Sequence, residues 1–341
     1  MERFRRLPKV ELHLHGDGAC RLSTLFELSK CGQNGINFPA DPEQFKPFVC
    51  CTGKQPSLQD FLKVFPNIIK IISTKENLKR IAYEFCEDCF NNNVIYAEYR
   101  YWPFAGVDNK LAPNDFIEAI SDGLDEGQKV FKVKVRQILC FMRHKPEEAM
   151  QIVKLAVQYK SRGVVAVDIA GDETLPMDQR FIDAFRTAKE QGLHITVHAG
   201  ESGPAANVKE AIESLGAERI GHGYHVIDDE SVYKLARDSH VHFEACPTSS
   251  LFTSSQVSEE EHALKQFVAD GTSFSLSTDD PGVMQCNIAD EYILAEKMGL
   301  NEKQLIQSVF SAAHASFLPD EEKKQLLTEL DSRMKLYAKF F

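Results

Sequence analysis

Two histidines stand two residues apart in "VELHLHGD" (10–17), followed by a glycine and a carboxylate. On a β-strand, side chains at i and i+2 share one face, so His13 and His15 can hold one ion together. The bland alternative is an edge strand with solvated histidines, since Val10, Leu12 and Leu14 can supply its apolar packing. Four more short stretches carry reactive types: "DIAGDE", "VHAGE", "GHG" and "STDDP". The last three contribute His198, Glu201, His222, Asp279 and Asp280. Three imidazoles and one carboxylate (His13, His15, His198 and Asp279) suit zinc or another borderline divalent metal, with a position left for water. A protonated carboxylic acid at Glu201 would donate to a substrate nitrogen. His222 and Asp280 then remain to orient or deprotonate the water. Such a set would suit activation of a water beside a metal.

Residues this far apart in the chain need a fold that gathers them. Short β-rich runs recur at "VELHLH" (10–15), "VIYAEYRYW" (94–102), "VKVRQILC" (133–140) and "VVAVDIA" (164–170). They continue at "HITVHAG" (194–200), "RIGHG" (219–223), "HVHFEACP" (240–247) and "SFSLSTDD" (273–280). Amphipathic stretches separate most of them, such as Val208, Ala211, Ile212 and Leu215 in "NVKEAIESLG". Strands alternating with helices predict an α/β protein with a parallel sheet, and the count predicts a closed (β/α)8 TIM-type barrel. Chemistry in such a barrel sits at the C-terminal strand ends, where all five polar stretches fall. First and eighth strands become neighbours on closure, so His13, His15 and Asp279 can meet His198 from the fifth. Glu201 is out of strand phase with His198, so the "AGES" turn must re-aim it inward.

Roughly eighty residues separate the first two strands, an unusually long connection. This helical insertion holds "PSLQDFLKVFPNIIK", where Leu58, Phe61, Leu62 and Phe65 follow i, i+3, i+4, i+7. Such a face either packs on the core or lies as a lid over the barrel mouth. No internal repeat, low-complexity tract or Pro/Gly linker interrupts the chain. One domain over residues 1–341 is expected.

The chain has 341 residues, 43% of them hydrophobic, and a formal charge of -11. That balance argues against electrostatic nucleic-acid binding and suits a neutral or cationic small-molecule substrate. The start lacks the apolar core of a secretory signal, and no run approaches the length of a membrane span. Nine cysteines, an odd and scattered set that includes Cys31, fit a reducing, cytoplasmic setting. "CEDC" (86–89) lies in a helical pattern and reads as structural. No Gly-rich phosphate loop, Rossmann fingerprint or G-x-S-x-G elbow occurs. "HFE" (242–244) has no P-C-x-x-C after it, so it is a chance match to the base-flipping zinc deaminases.

The ordered set "PKVELHLH", "LQDFLKVF", "IAYEF", "CFMRHKP", "VAVDIAGDET", "VHAGE", "RIGHGYH", "CPTSS", "STDDP" and "FLPDEEKKQLL" resembles the adenosine deaminase family. The similarity runs over nearly the whole chain. It implies one Zn2+ bound by His13, His15, His198 and Asp279. It also implies that Glu201 protonates purine N1 and that His222 positions and helps deprotonate the water. Asp280 would hold the hydroxide or N7, the Gly171 amide would meet N3, and Asp17 would contact the ribose 5′-hydroxyl. Leu58, Phe61, Leu62 and Phe65 resemble the family's lid, and Met142 matches another pocket position. The implied reaction is hydrolytic deamination of adenosine and 2′-deoxyadenosine to the inosines and ammonia. The partner expected is a small-molecule purine nucleoside, with no nucleic acid and no membrane; the sequence does not fix the oligomeric state, and a monomer is the expectation.

Two residues depart from the pattern. Gly16 stands where a bulkier apolar residue is usual, and Trp102 where a small serine is common near the pocket. Both bear on pocket shape. The alternative substrates are adenine or an N6-substituted adenine nucleoside or nucleotide. Asp17 argues against the nucleotide, because a carboxylate repels a 5′-phosphate. A catalytically silent metal-binding or docking protein would not need the full set of acid, base and ligands.

Overall fold

The computed structural model describes residues 2–30, 38–51 and 53–339, and Cys31 lies outside them. Eight strands form one parallel sheet in chain order. They are β1 (Lys9–His15), β2 (Val94–Tyr101), β3 (Lys134–Met142) and β4 (Val164–Ala170), then β5 (His194–Ala199), β6 (Arg219–His222), β7 (His242–Ala245) and β8 (Phe274–Leu276). Beyond β8 the ring is closed by backbone. The His15 N–H donates to the Asp279 carbonyl at 2.8 Å, and the Asp279 N–H donates to the His13 carbonyl at 3.0 Å. This closure sets Asp279 directly beside both histidines of β1.

Every residue of β2 is buried, as expected of a barrel strand covered on both faces. The side-chain period of two divides its labour. Glu98 and Arg100 reach across the interior to β6, β4 and β7. Tyr99 and Tyr101 point outward onto Phe85 and Phe116 of the helices Lys75–Asn91 and Pro113–Phe131. β7 and β8 are shorter than their sequence patterns predict. His240 turns through a positive φ of 55°, which delays β7. β8 ends at Leu276, which leaves Asp279 and Asp280 on the loop at the mouth.

The long insertion folds as helix Leu58–Phe61, a 3-10 turn at Leu62–Val64 and helix Phe65–Ile72. Ser57 caps its start by accepting from the Asp60 N–H, and Pro66 occupies the tolerated first turn of the last helix. In "CEDC", Cys86 and Cys89 are both buried, and burial pushes the Cys86 thiol up to about 12. No described helix is long and apolar enough to cross a membrane.

Candidate active site

The donor atoms of His13, His15, His198 and Asp279 all lie within 4.8 Å of one another. Nε2 of His13 and of His15 sit 3.2 and 3.4 Å from Asp279 Oδ1. The Nε2 atoms of His15 and His198 face each other at 3.1 Å, and His13 Nε2 is buried with no hydrogen-bond partner among the described residues. Nitrogens converging this way suit a shared cation better than one another. Behind two of the rings stand carboxylates. His13 Nδ1 is 2.6 Å from Glu244 Oε2, and His198 Nδ1 is 2.9 Å from Asp168 Oδ2, inside ion-pair reach but off hydrogen-bond alignment. A carboxylate behind each imidazole keeps the proton on Nδ1 and leaves Nε2 for a metal. The residues present therefore fit a divalent ion.

Arg100 joins the two supporting carboxylates. Its Nη1 donates to Asp168 and its Nη2 to Glu244, at 2.8 and 2.7 Å. Glu244 also accepts from Arg219 and Thr196, and Arg219 in turn donates to Glu98. Acid and base thus alternate through the barrel centre, each charge compensated by its neighbours. Asp168 stands in "DIAGDE" and Glu244 in "HFE", but neither stretch gave them a role, and Arg100 lay unremarked in a strand run. The available signal was a charged residue in the middle of an otherwise apolar strand run.

Glu201 is buried at the mouth of β5. Burial, then the Asp279 and Glu173 carboxylates, push its carboxyl well above the usual range. His222 Nε2 lies 3.7 Å from Glu201 and 3.8 Å from Asp279, and burial holds its imidazole well below the ordinary value. Asp280 is pushed up by burial and by Asp279, Asp17 and Glu201. An acid whose burial favours its protonated form, an imidazole whose burial favours its neutral form and a ligand set thus share one small volume. His222 and Asp279 both adopt φ of 64°, an uncommon conformation for side chains that tends to cluster at functional sites.

These groups open into a cavity of about 580 Å³. Its lining includes His15, His198, Asp279, Glu201, His222 and Asp280, with His13 buried behind them. Asp17, Gly171 and Met142 line it too, as do Leu58, Phe61, Leu62 and Phe65. The apolar face of the insertion therefore meets the cavity as well as the core. Burial pushes the Asp17 carboxyl up to about 6. The outer wall carries Trp102, whose indole N–H donates to Glu148 at 2.8 Å.

The adenosine deaminase family model matches residues 8–333. The adenosine deaminase of Danio rerio is 39% identical over 340 residues, 95% of this chain and 94% of its own. The chain belongs to the adenosine deaminase family. Among solved structures, the Arabidopsis N6-mAMP deaminase superposes with a TM-score of 0.88 at 30% identity, covering 97% of this chain and 100% of that one. An amidohydrolase from Burkholderia ambifaria with bound Zn gives 0.87 at 26% identity, over 99% and 94% of the two chains.

For this member of the adenosine deaminase family, sequence reasoning also passed over Glu173 and Arg143. Glu173 follows "DIAGD" and accepts the backbone N–H groups of residues 200–203. Its place at the end of "DIAGDE" was one signal, and the need for something to shape the "AGES" turn another.

Proposed function

We propose that this member of the adenosine deaminase family hydrolyses adenosine and 2′-deoxyadenosine to inosine and 2′-deoxyinosine with release of ammonia. The observation that carries the proposal is the meeting, in one cavity, of the His13–His15–His198–Asp279 donor set with a neutral Glu201. His13, His15, His198 and Asp279 would hold zinc, which would lower the pKa of a water to about 7 and so supply a nucleophile at neutral pH. The neighbour with bound Zn supports that choice of metal.

Attack at purine C6 moves electron density onto N1, and Glu201, protonated through its burial, delivers a proton there. His222, neutral beside Glu201 and Asp279, positions the water and helps remove its proton. Asp280 contacts the attacking water or ring N7. The Gly171 N–H meets N3, Met142 lines the base pocket, and Asp17 accepts from the ribose 5′-hydroxyl. Leu58, Phe61, Leu62 and Phe65 cover the purine and exclude water, which strengthens each polar contact. The single eight-stranded sheet supports one domain. The scattered, odd set of cysteines supports a cytoplasmic setting.

A second reading is the same chemistry on an N6-substituted nucleotide, favoured by the likeness to the Arabidopsis N6-mAMP deaminase. Asp17 opposes it through charge. Absorbance assays of the zinc-loaded protein with adenosine, adenine and N6-methyl-AMP distinguish the readings. Turnover of adenosine is expected to dominate. No turnover of adenosine with zinc present would overturn the proposal.

A further inference from the structure

We propose that Glu173 is a positioning residue for the reaction, holding the "AGES" turn so that Glu201 points at the substrate. This rests on Glu201 being the acid of the proposed function. Strand phase alone would not aim residue 201 with residue 198, because three positions along a strand reverse the side chain. The chain must turn sharply after β5, and Gly200 does so with φ of 69°. Such a turn leaves successive N–H groups pointing the same way, a concavity that takes an anion.

Glu173 is that anion. Its Oε1 accepts from the Gly200 N–H at 2.8 Å. Its Oε2 accepts from the N–H groups of Glu201, Ser202 and Gly203 at 3.0, 2.8 and 2.6 Å. Four donors on two oxygens call for an acceptor-only group, which an ionised carboxylate is and an amide is not. Helix Ala205–Glu213 begins just beyond, and its N-terminal dipole favours the same sign of charge. The side chain is 1% exposed, so water does not satisfy these donors in its place.

The anchor reaches the metal side as well. Arg143 Nη2 donates to the His198 carbonyl at 2.8 Å and lies 3.8 Å from Glu173 Oε1. One guanidinium thereby ties the turn carrying the acid to the strand carrying a metal ligand. Asn207 adds a bond from its Nδ2 to the Glu173 carbonyl at 3.4 Å. Glu173 touches neither cavity nor metal donors, so it works through Glu201.

The test compares zinc-loaded wild type, Glu173→Gln, Glu201→Gln and the double variant. Glu173→Gln is expected to keep its metal and a KM within about twofold while kcat falls about 100-fold, the scale for a misplaced catalytic group. The double variant is expected to lose no more than Glu201→Gln alone, since both changes remove one function. A kcat within about twofold of wild type, parallel losses of metal and KM, or multiplied losses in the double variant would each overturn the proposal.

Should Glu173→Gln not fold, Gly203→Ala serves instead. Its added Cβ would meet Asn207 Nδ2 at 2.2 Å and Glu173 Oε2 at 3.1 Å, so it displaces the Asn207 side chain and presses on the anchor without removing the carboxylate. A lower kcat at unchanged KM is expected, and an unchanged kcat overturns the proposal. Amide hydrogen exchange at residues 200–203 needs no turnover, so it separates this proposal from the choice of substrate. Faster exchange in either variant is expected even if adenosine proves inert, and exchange equal to wild type overturns the anchor.

Discussion

The ring of Tyr99 occupies the space that any side chain at residue 16 would need. A Cβ built on Gly16 would lie 2.3 Å from ring carbons Cε1 and Cζ of Tyr99. The ring is fixed there by Phe85 at 4.9 Å and Tyr101 at 6.0 Å. Bulk at this point is thus supplied from β2 instead, next to Asp17. Gly16→Leu alone should destabilise the fold by about 1–3 kcal/mol through overpacking. Adding Tyr99→Val should recover part of that loss. Urea denaturation of both singles and the double checks this, with coupling of about 0.5–3 kcal/mol expected for a contacting pair.

Replacing Glu201 with Gln removes the transferable proton and leaves the metal donors intact. Metal analysis should find a full complement, while kcat falls on the order of 10²–10⁴-fold. Retained turnover would remove Glu201 from the acid role.

The carboxylates behind the imidazoles make a separate claim. Asp168→Asn, which weakens the partner of His198 Nδ1 at 2.9 Å, should weaken metal binding by about 10–100-fold in chelator competition. His198→Ala should deplete the metal outright. A full complement in His198→Ala would contradict its place among the ligands.

Asp17 bears on the choice between nucleoside and nucleotide. Its carboxyl, raised to about 6 by burial, is charged above that pH and repels a 5′-phosphate. Asp17→Asn should narrow the preference for adenosine over AMP by about tenfold, a repulsion of ~1.4 kcal/mol. Assays across pH 6 check the sign, because wild-type discrimination should grow as the pH rises through Asp17's titration. An unchanged ratio would take Asp17 away from the 5′ end.

Glu291 links stability to pH. Burial raises its carboxyl from the ordinary 4.5 to about 8, and its Oε2 accepts from the Thr248 N–H at 2.9 Å. The folded state therefore holds a proton that the unfolded chain gives up. Its contribution is full below pH 4.5 and is lost as the pH rises through about 8. Glu291→Gln keeps an acceptor for Thr248 and titrates nowhere. At pH 8 it should exceed wild type by up to a few kcal/mol relative to their difference at pH 4.5. Equal slopes of stability against pH would refute this.

Much of the barrel was readable because its signals are local. Short β-rich runs marked each strand, and the strand order followed from alternation with helices. The polar ends of those runs marked the mouth. Boundaries were harder where a positive φ intervened, as at His240 before β7. The insertion's face was readable as amphipathic, but periodicity does not distinguish a lid from a core helix. Its partners show both, since Leu58, Phe61, Leu62 and Phe65 meet the cavity while Leu58 and Phe61 also belong to the core.

Residue types and strand phase by themselves determined which imidazoles and carboxylates could meet, because side-chain direction along a strand is a local property. Only the tertiary structure decided what stands behind them. Asp168, Arg100 and Glu244 come from β4, β2 and β7 and meet inside the barrel, and Glu173 closes on a turn 27 to 30 residues away. Nothing in a strand's period encodes which charge will face it across a closed sheet. Those partners are chosen by closure and by the cost of burying a charge unpaired.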